Sequence, residues 1–561
     1  MDFIAGAAEI RWLPCQLQGR LPVVSPSASA PFQGQGVRAA GGILCIKENA
    51  GTPAQTGAAA EGERVPGLHR RAEMQMLRKS VGIDFEQVGI DFRPDVEYAV
   101  FLGNHGQTRL PFSSILYAKI IHVNEILGDE RRHLCYNVVK FQKGVNCMER
   151  KRWYKDKVFY QIWPRSFKDG NGDGMGDLWG VYEKLDYIKS LGCDGIWFSP
   201  IYPSPGADCG YDISDYRDIA PEFGGMEAFQ KVLEGAHARD MKIVMDLVVN
   251  HTSDEHEWFQ KSRRRIDPYT DYYIWRPGKP GGKLPNNWDS FFEGKAWTYD
   301  EVRGEYYLHL FAVKQPDLNM DNPKVREEVK GILRFWLDMG VDGFREDVIT
   351  YISKKEGLPD DHLMPACKGL PCYDHGPHIH EYLSEFKHDV LDHYDCFTLA
   401  EAPMVTPRRA LTYIDEKDGQ LDMMIQFQCV AADCLFTDYL PTKFSLRRMK
   451  KAFSSWQEKL RGRGWNSLYI ENHDHPRIVS RYGSEKFWAQ SAKCLAAMYL
   501  FQQGTPFIYQ GQEIGMTNWR PERADMYEDV QTRYTYAHTA LGRPEEVRLH
   551  RLWRSSRDSA R

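Results

Sequence analysis

PKVREEVKGILRFWLDMGVDGFREDV, residues 323–348, is the stretch that decides the fold. Its first part predicts an amphipathic helix, with Asn322 as the N-cap and Pro323 in the first turn. The apolar stripe of that helix consists of Val325, Val329, Ile332, Leu333 and Trp336. After Gly340 comes a short apolar run that ends in charged residues, which is typical of a buried strand. The stretch therefore predicts a helix that leads directly into a strand.

The same helix-then-strand pattern occurs twice earlier in the chain, where residues 178–192 precede 193–200 and residues 226–240 precede 241–250. Further strand candidates are 158–164, 396–402, 421–427, 466–472 and 504–511, which makes eight strands in total. Strands that alternate with helices predict a parallel sheet in an α/β fold. Eight units favour a closed (β/α)8 barrel, or TIM barrel, over an open doubly wound sheet, which usually has a glycine-rich first turn.

The chain has three regions that differ in composition and in apolar periodicity. Residues 1–147 begin rich in Gly, Ala, Pro and Ser and then lack sustained apolar periodicity, so we expect an N-terminal extension that is disordered or non-native. The codons for KGV, just before Met148, could form a ribosome-binding site, so this extension could be translated leader. Residues 148–561 carry the barrel pattern. Within them, residues 251–312 are dense in Trp, Tyr, Pro and Gly and predict a small domain inserted after the third strand.

The composition is that of a globular protein of 561 residues with a formal net charge of −5. This near balance of charge argues against a nucleic-acid groove or a membrane surface, and the aromatic share of 13% suits flat ligands such as sugars. The N-terminus lacks the pattern of a secretory signal. The twelve cysteines show no metal-binding spacing, so reduced thiols in the cytoplasm are the simplest interpretation.

Polar residues are concentrated where the predicted strands end. Asp246 and His251 follow the third strand, Arg345 and Asp347 the fourth, Glu401 the fifth, and His473 with Asp474 the seventh. In a barrel, the carboxyl ends of the strands form the active-site face. Any one of these acids could be a structural residue. Three of them at one mouth repel one another unless cations compensate, so together they indicate a functional site.

Two carboxyl groups of unlike pKa are what glycoside hydrolysis requires. Arg345 lies two residues before Asp347 on one strand, so both point to the same side, and the arginine should keep Asp347 charged and nucleophilic. Glu401 has no adjacent cation in the sequence, so we expect it to have the raised pKa and to act as the acid.

The loop DGNGDGMGD, residues 169–177, begins like an EF-hand but has Gly180 where a bidentate glutamate is needed. A hard cation could still be held by four side chains and one backbone carbonyl, and a simple Gly/Asp surface turn is the alternative. The candidate ligands are Asp169, Asn171, Asp173, the Met175 carbonyl and Asp177.

Seven motifs in order carry a resemblance to a known family: QIWPRSFKDGNGDGMGD, GYDISDY, DLVVNHTSDEH, QPDLN, GFREDVI, LAEAP and ENHDHPR. As arranged, they resemble glycoside hydrolase family 13, the α-amylase family, and most closely its oligo-1,6-glucosidase and α-glucosidase branch. The resemblance runs from Met148 to Arg561. It implies that Asp347 is the nucleophile, Glu401 the general acid and base, and Asp474 the carboxylate that stabilises the transition state.

The resemblance also implies the residues that hold the substrate and the ion. Asp208, Tyr211, His251, Arg345 and His473 match positions that bind the non-reducing glucose, with the Tyr211 ring stacking on the sugar. Retention of the α configuration implies that the Asp347 and Glu401 carboxyl groups lie about 5 to 5.5 Å apart. The 169–177 loop resembles a small structural Ca²⁺ or Mg²⁺ site that is remote from the chemistry. No organic cofactor is implied.

Val348, directly after the nucleophile, resembles the residue that accompanies cleavage of α-1,6 bonds, so isomaltose and short isomalto-oligosaccharides are the expected substrates. Trehalose-6-phosphate hydrolase and a glucosyl-transferring or isomerising enzyme remain alternatives, although the RLDRD stretch of sucrose isomerases is absent. A catalytically inactive barrel that acts as a scaffold is the alternative from another class. We expect an oligosaccharide as the partner, no nucleic acid or membrane, and a monomer or weak homo-oligomer.

The chain ends at RDSAR, where relatives continue into a last barrel helix and a C-terminal β-sandwich, so we expect both to be missing. Their loss would leave apolar surface exposed near the first and eighth strands. Arg561 matches an arginine that contacts glucose in relatives, and Cys209 replaces an asparagine.

Overall fold

The structure is a computed structural model. It describes residues 152–554 apart from 293, 436 and 539–541, with the backbone alone at 437–441, 551 and 554. In the N-terminal part it describes only the backbone of 42–46, 98–104, 116–122 and 137–140. The chain divides into two compact units, Met1–Asn146 and Cys147–Arg561, so the division lies one residue from the predicted boundary at 147.

The first unit contains four strands, which pair in chain order as an antiparallel sheet. They are Gly42–Ile46, Tyr98–Asn104, Leu116–His122 and Asn137–Lys140. That residues 1–147 are non-native to the protein stays a prediction.

The second unit is built on eight parallel strands, as the sequence predicted. They are β1 (Phe159–Ile162), β2 (Gly195–Phe198), β3 (Lys242–Leu247), β4 (Gly343–Glu346), β5 (Phe397–Glu401), β6 (Met423–Ile425), β7 (Ser467–Leu468) and β8 (Thr505–Tyr509). Hydrogen-bonded ladders join them in the order β6-β5-β4-β3-β2-β1-β8-β7. Between β6 and β7, the Ser467 hydroxyl donates to the Met424 carbonyl at 2.6 Å instead of a ladder, so the barrel is nearly closed.

Helices separate the strands. They run Leu178–Glu183, Leu185–Ser190, Gly225–His237, Pro323–Met339, Ile379–Asp389, Pro407–Ile414, Leu446–Leu460, Ile478–Tyr482 and Trp488–Leu500, with Val530–His538 and Glu545–Arg554 after β8. The helix predicted over 178–192 is two short helices that meet at Lys184. The helix of the opening stretch begins as predicted, because the Asn322 side chain accepts from the Lys324 amide at 3.0 Å. It ends at Gly340 in the left-handed conformation, which favours glycine.

Strand residues alternate between two apolar clusters. Inward side chains such as Phe159, Trp197, Val244, Phe397 and Leu399 fill the barrel interior. Outward side chains such as Tyr160, Ile196, Ile243 and Phe344 pack against the helices. This alternation, a consequence of the strand's period of two, leaves the carboxyl-end positions inside the barrel for polar groups.

The inserted domain predicted at 251–312 contains the helix Glu257–Ser262 and a three-stranded antiparallel sheet. Its strands are Trp275–Arg276, Trp297–Asp300 and Glu305–Leu308. Its core is shared with the chain after β4: Trp288, Leu308 and Leu310 pack in one cluster with Val348 and Tyr373. The insertion is therefore fastened to the segment that directly follows Asp347.

Apolar surface is exposed around β8, as expected. The outward side chain of Ile508 is only partly buried, and Trp488 and Phe501 on the preceding helix and turn are 48% and 90% exposed. The expectation does not hold at β1, whose outward residues Tyr160 and Ile162 are fully buried. Among the described residues, no strand follows β8.

Gly343, at the start of β4, provides a test of the barrel packing. A Cβ atom there would lie 2.4 Å from the Phe397 carbonyl oxygen, which is part of the β4–β5 ladder and cannot move freely. We expect Gly343→Ala to lower the free energy of unfolding by about 1–3 kcal/mol, measured by urea denaturation.

Gly331→Ala is the matched control. This glycine lies inside the helix Pro323–Met339, and its new Cβ would meet only the mobile end of the Arg217 side chain. Removing a glycine from a helix interior should stabilise the protein by up to ~1 kcal/mol. Equal effects of the two substitutions would contradict the packing described here.

Candidate active site

Inward-facing polar residues from three neighbouring strands, β3, β4 and β5, meet at the carboxyl end of the barrel. Asp246 of β3 and Arg345 of β4 are direct partners in the parallel register, so they lie at the same level and on the same side. Glu401 is the last residue of β5, and Asp347 directly follows β4. All four are buried, with Arg345 and Asp246 each 1% exposed.

The Arg345 guanidinium binds three carboxylates at once. Its Nη1 donates to Asp246 Oδ1 at 2.7 Å and to Asp347 Oδ1 at 2.6 Å, while Nη2 donates to Glu401 Oε2. The contact with Asp347 agrees with the spacing of the two residues on one strand, while the role of Asp347 as the nucleophile stays a prediction. Glu401 has no adjacent cation in the sequence, but β5 places its carboxyl group beside the same guanidinium, from a residue 56 positions away.

The pKa values of Asp246, Asp347 and Glu401 are all raised, but by different amounts. Burial raises the pKa of Glu401 to about 8, with Arg345 opposing the rise and Asp347 adding to it. Burial raises the pKa of Asp347 to about 6, again opposed by Arg345. The pKa of Asp246 rises to about 6 for the same reason. One guanidinium cannot neutralise three negative charges, so Glu401 is the group that holds a proton near neutral pH.

Tyr211 and His473 stand together against this cluster. Their rings stack with centroids 5.5 Å apart, and the Tyr211 hydroxyl lies 2.6 Å from His473 Nε2 and donates to Asp246 Oδ2 at 3.1 Å. The other nitrogen of His473 lies 2.7 Å from the side-chain amide of Gln161 on β1. Asp474 is half-buried beside this pair, and its Oδ2 lies 3.2 Å from His473 Nε2.

His251 and Asp208 are brought together by a residue to which the sequence analysis gave no role. Gln315, at the start of QPDLN, donates from its side-chain amide to Asp208 Oδ2 at 2.8 Å, and the same nitrogen lies 3.1 Å from His251 Nε2. Burial lowers the pKa of His251 to about 4, so its ring is neutral. The motif pointed to Gln315, but only as part of a signature.

Two more residues of the site had no assigned role. Asp246 was noted only as a strand end, and its contact with Arg345 follows from register that a sequence does not show. Lys354 carries no motif at all, yet its ammonium group is buried 2.8 Å from Asp317 Oδ2. Arg561 lies outside the described residues.

The 169–177 loop lies apart from these contacts and uses several of its oxygens internally. The carboxylate of Asp169 accepts from the amides of Asn171, Gly172 and Gly174, which lowers its pKa. Asp177 Oδ1 caps the next helix through the Gly180 amide at 2.7 Å. Among the described residues, no group of three or more His, Cys, Asp or Glu side chains is close enough to hold a metal.

One oxygen atom of this loop, Asp177 Oδ2, is nevertheless suited to bind a cation. Asp177 is fully buried, and its Oδ2 has no hydrogen-bond partner, which is costly for a carboxylate oxygen. A hard cation prefers oxygen donors of this kind. Asp169, Asn171, Asp173, Asp177 and the Met175 carbonyl are the residues that would hold it.

Comparison with known proteins agrees with this geometry. The family description "Alpha amylase, catalytic domain" matches residues 161–560. The chain belongs to the α-amylase family. It is 52% identical over 420 residues to the oligo-1,6-glucosidase of Parageobacillus thermoglucosidasius, covering 73% of this chain and 74% of that protein.

Two solved structures give the same result for the fold. The trehalose-6-phosphate hydrolase of Bacillus licheniformis is 45% identical with a TM-score of 0.69, over 72% of this chain and 74% of that one. An isomaltulose synthase of Erwinia rhapontici NX5 is 42% identical with a TM-score of 0.69, over 73% and 74% of the two chains. The family and these likenesses make the protein a glycoside hydrolase, which needs no organic cofactor. Among the described residues, no helix is long and apolar enough to span a membrane.

Proposed function

We propose that the protein is a retaining α-glucosidase that releases the terminal glucose from isomaltose and other short α-1,6-linked, and to a lesser degree α-1,4-linked, oligosaccharides. One observation carries the mechanism: Arg345 binds both Asp347 and Glu401, while the pKa of Glu401 is raised further, to about 8 against about 6. The site therefore holds a carboxylate and a carboxylic acid side by side near neutral pH.

In the first step, the ionised Asp347 attacks the anomeric carbon and the bond to the leaving oxygen breaks, while Glu401 gives its proton to that oxygen. The products are a β-glucosyl ester on Asp347 and the free remainder of the sugar. In the second step, Glu401 takes a proton from water as the water oxygen attacks the same carbon, and Asp347 leaves. Two inversions retain the α configuration. We assign Asp474 to stabilisation of the positive charge that develops on the ring.

The glucose ring is proposed to lie among Asp208, Tyr211, His251, Arg345 and His473. The buried Tyr211 ring suits the apolar face of a pyranose, while the Asp208 carboxyl group and the neutral His251 ring suit its hydroxyl groups. The α-1,6 preference rests on Val348 and on the oligo-1,6-glucosidase relative. Cys367 and Cys372, the close pair in the sequence, are thiols and not a disulfide, which supports a cytoplasmic location.

The activity is tested with a panel of disaccharides at equal concentration. We expect glucose release from isomaltose to be fastest, maltose slower, and trehalose 6-phosphate not cleaved. Asp347→Asn should reduce kcat/KM by a factor on the order of 10³ or more, because the amide is a poor nucleophile. Asp186→Asn, an exposed carboxylate paired with Arg239, is the control and should leave the rate unchanged.

Faster cleavage of the phosphorylated sugar would favour the trehalose-6-phosphate hydrolase alternative. A product with a rearranged linkage would favour the isomerising one. No turnover of any sugar by a folded protein would favour the scaffold alternative, which the presence of all three carboxylates opposes.

The pH dependence follows from the two pKa values. Asp347 must be deprotonated, so kcat/KM should fall as the pH drops below about 6. Glu401 must be protonated, so kcat/KM should fall as the pH rises above about 8. An α-glucosyl fluoride, whose leaving group needs no proton, should lose the alkaline limb but keep the acid limb. An unchanged alkaline limb would contradict the acid role of Glu401.

The ion is proposed to be Ca²⁺ or Mg²⁺ with a structural role only. Chelation should lower the melting temperature, and added Ca²⁺ should restore it, while the kcat of the folded enzyme stays within about twofold. Asp177→Asn removes the charge but keeps an oxygen that can cap the helix, and it should abolish the response to Ca²⁺. A response that persists in this variant would place the ion elsewhere.

A further inference from the structure

The charge of the chain is unevenly distributed. Residues 442–463 contain eight Lys or Arg residues and a single acid, Glu458, although the whole chain has a formal net charge of −5. Most of this stretch is the helix Leu446–Leu460, which lies between β6 and β7 on the outside of the barrel. The near balance of charge over the whole chain, from which we expected no membrane partner, therefore does not describe this surface.

Three of the basic residues share the outer side of this helix, and we call them the basic face. They are Arg447, Lys450 and Lys451, and all three are exposed. The side of the helix that packs against the barrel consists of Met449, Phe453, Trp456 and Leu460. With 3.6 residues per turn, the basic face points away from that buried side and towards solvent.

The charges of the basic face are not balanced within the protein. Among the residues that the structure describes, none of the three side chains has a carboxylate within 4.0 Å. Other basic residues of the stretch are used internally: Arg463 donates to Asp415 at 2.8 Å. Within the basic face, Arg447 and Lys451 are four residues apart on one helix, a spacing at which like charges repel.

The position of the basic face along the helix is also unfavourable. The helix begins after Ser445, whose hydroxyl oxygen accepts from the Arg448 amide at 3.3 Å. The N-terminal end of a helix carries a partial positive charge, so acids stabilise it and cations destabilise it. This helix has no acid in its first turn, and the basic face occupies its first two turns. The charges therefore do not serve the fold, which indicates an anionic partner outside the chain.

Exposed aliphatic side chains lie beside the basic face. Leu446, the first residue of the helix, is 65% exposed, and Leu435 is 53% exposed. Leu435 lies near the start of the helix, because the Arg448 guanidinium donates to the carbonyl of Cys434 at 3.1 Å. The surface therefore combines unbalanced positive charge with apolar groups that water solvates poorly.

This combination distinguishes between two kinds of anionic partner. Single-stranded nucleic acids stack their bases on aromatic rings, and the exposed ring in this stretch, Phe444, already packs against Tyr482 with a centroid distance of 4.7 Å. Leu446 and Leu435 cannot stack on bases. Aliphatic side chains next to Lys and Arg are instead typical of surfaces that enter the boundary between lipid headgroups and acyl chains.

We propose that the basic face and Leu446 form a peripheral docking site for a bilayer surface that contains anionic lipids. Arg447, Lys450 and Lys451 lie against the lipid phosphates, and Leu446 enters the headgroup region. So few anchoring groups give weak, reversible binding that salt reduces. The cytoplasmic leaflet carries anionic lipids, in agreement with the proposed cytoplasmic location. The docking site does not depend on which sugar the protein cleaves.

Binding is measured by sedimentation of the full chain with vesicles. One set of vesicles contains equal parts of phosphatidylglycerol and phosphatidylcholine, and the other set contains phosphatidylcholine alone. We expect binding to the anionic vesicles only, and loss of that binding at ~1 M salt, where charges are screened beyond about 3 Å. Equal binding to both sets, or binding to neither, would overturn the proposal.

The triple variant Arg447→Gln, Lys450→Gln, Lys451→Gln tests the basic face. Its partition coefficient for anionic vesicles should fall on the order of a hundredfold, because each basic residue near an anionic surface contributes about a factor of five. Its melting temperature should not fall, because the lost charges lie at the unfavourable end of the helix. A clear fall in melting temperature would show that the cluster serves the fold, contrary to the proposal.

The matched control removes the same total charge from exposed lysines elsewhere in the chain. It combines Lys283→Gln, Lys324→Gln and Lys417→Gln. Binding should stay within about threefold of the unaltered protein, because only the net charge changes. If both triple variants lost binding equally, net charge rather than the basic face would be responsible, and the proposal would be wrong.

The apolar contribution is tested separately. Leu446→Ser should lower the partition coefficient about tenfold, because a leucine side chain no longer leaves water on binding. Leu363→Ser, at a leucine that is 81% exposed between β4 and β5, is the control and should bind like the unaltered protein. A single-stranded RNA oligomer is the competing partner. RNA binding that needs the basic face but not Leu446, without binding to vesicles, would overturn the assignment to lipid.

Discussion

The site depends on one constraint, which is that a single guanidinium must compensate three buried carboxyl groups. Arg345 is held 1% exposed by its hydrogen bonds to Asp246, Asp347 and Glu401, and its charge lies 5.5 Å from the Trp197 ring. With one positive charge for three acids, full ionisation is too costly in a site that excludes water. The acids therefore share protons, and the least favourable site for charge becomes the proton donor. Because one positive charge cannot balance three acids, one carboxyl group stays protonated and serves as the acid, while another is ionised and serves as the nucleophile.

The register of the barrel strands is what brings the three acids and the single guanidinium together. Asp246 and Arg345 are neighbours because β3 and β4 pair residue for residue, and Asp347 falls two residues further on the same side of its strand. Below this level the interior is filled by aromatic and aliphatic side chains such as Phe159 and Phe397, which exclude water from beneath the acids. The scaffold thus supplies both the convergence and the low dielectric that a raised pKa needs.

Periodicity was enough to predict the eight strands, composition to predict the inserted domain, and residue type to predict the cap at Asn322, because these features depend on neighbours in sequence. The acids at the strand ends were predictable for the same reason, once a barrel was assumed. The partner of Glu401 was not, because Arg345 is 56 positions away and reaches it only through the β4–β5 ladder. Lys354 could not be predicted for a related reason: its partner Asp317 lies 37 positions earlier, in the QPDLN stretch, and no local pattern links the two residues.

The insertion and the segment after β4 act as one packed body, and Val348 shows the consequence. It has φ 33° and ψ 38°, a left-handed conformation that costs a β-branched residue roughly 1–3 kcal/mol. Such strain persists only where the surroundings hold it, and here the side chain is buried in the core of the inserted domain with Leu308 and Trp288. The same conformation directs the Val348 amide toward Glu401 Oε2 at 3.3 Å. Packing of the inserted domain therefore fixes the backbone at Val348, between the nucleophile Asp347 and the acid Glu401. A valine that looks like an ordinary strand-end residue in the sequence thus links the inserted domain to the two catalytic carboxyl groups.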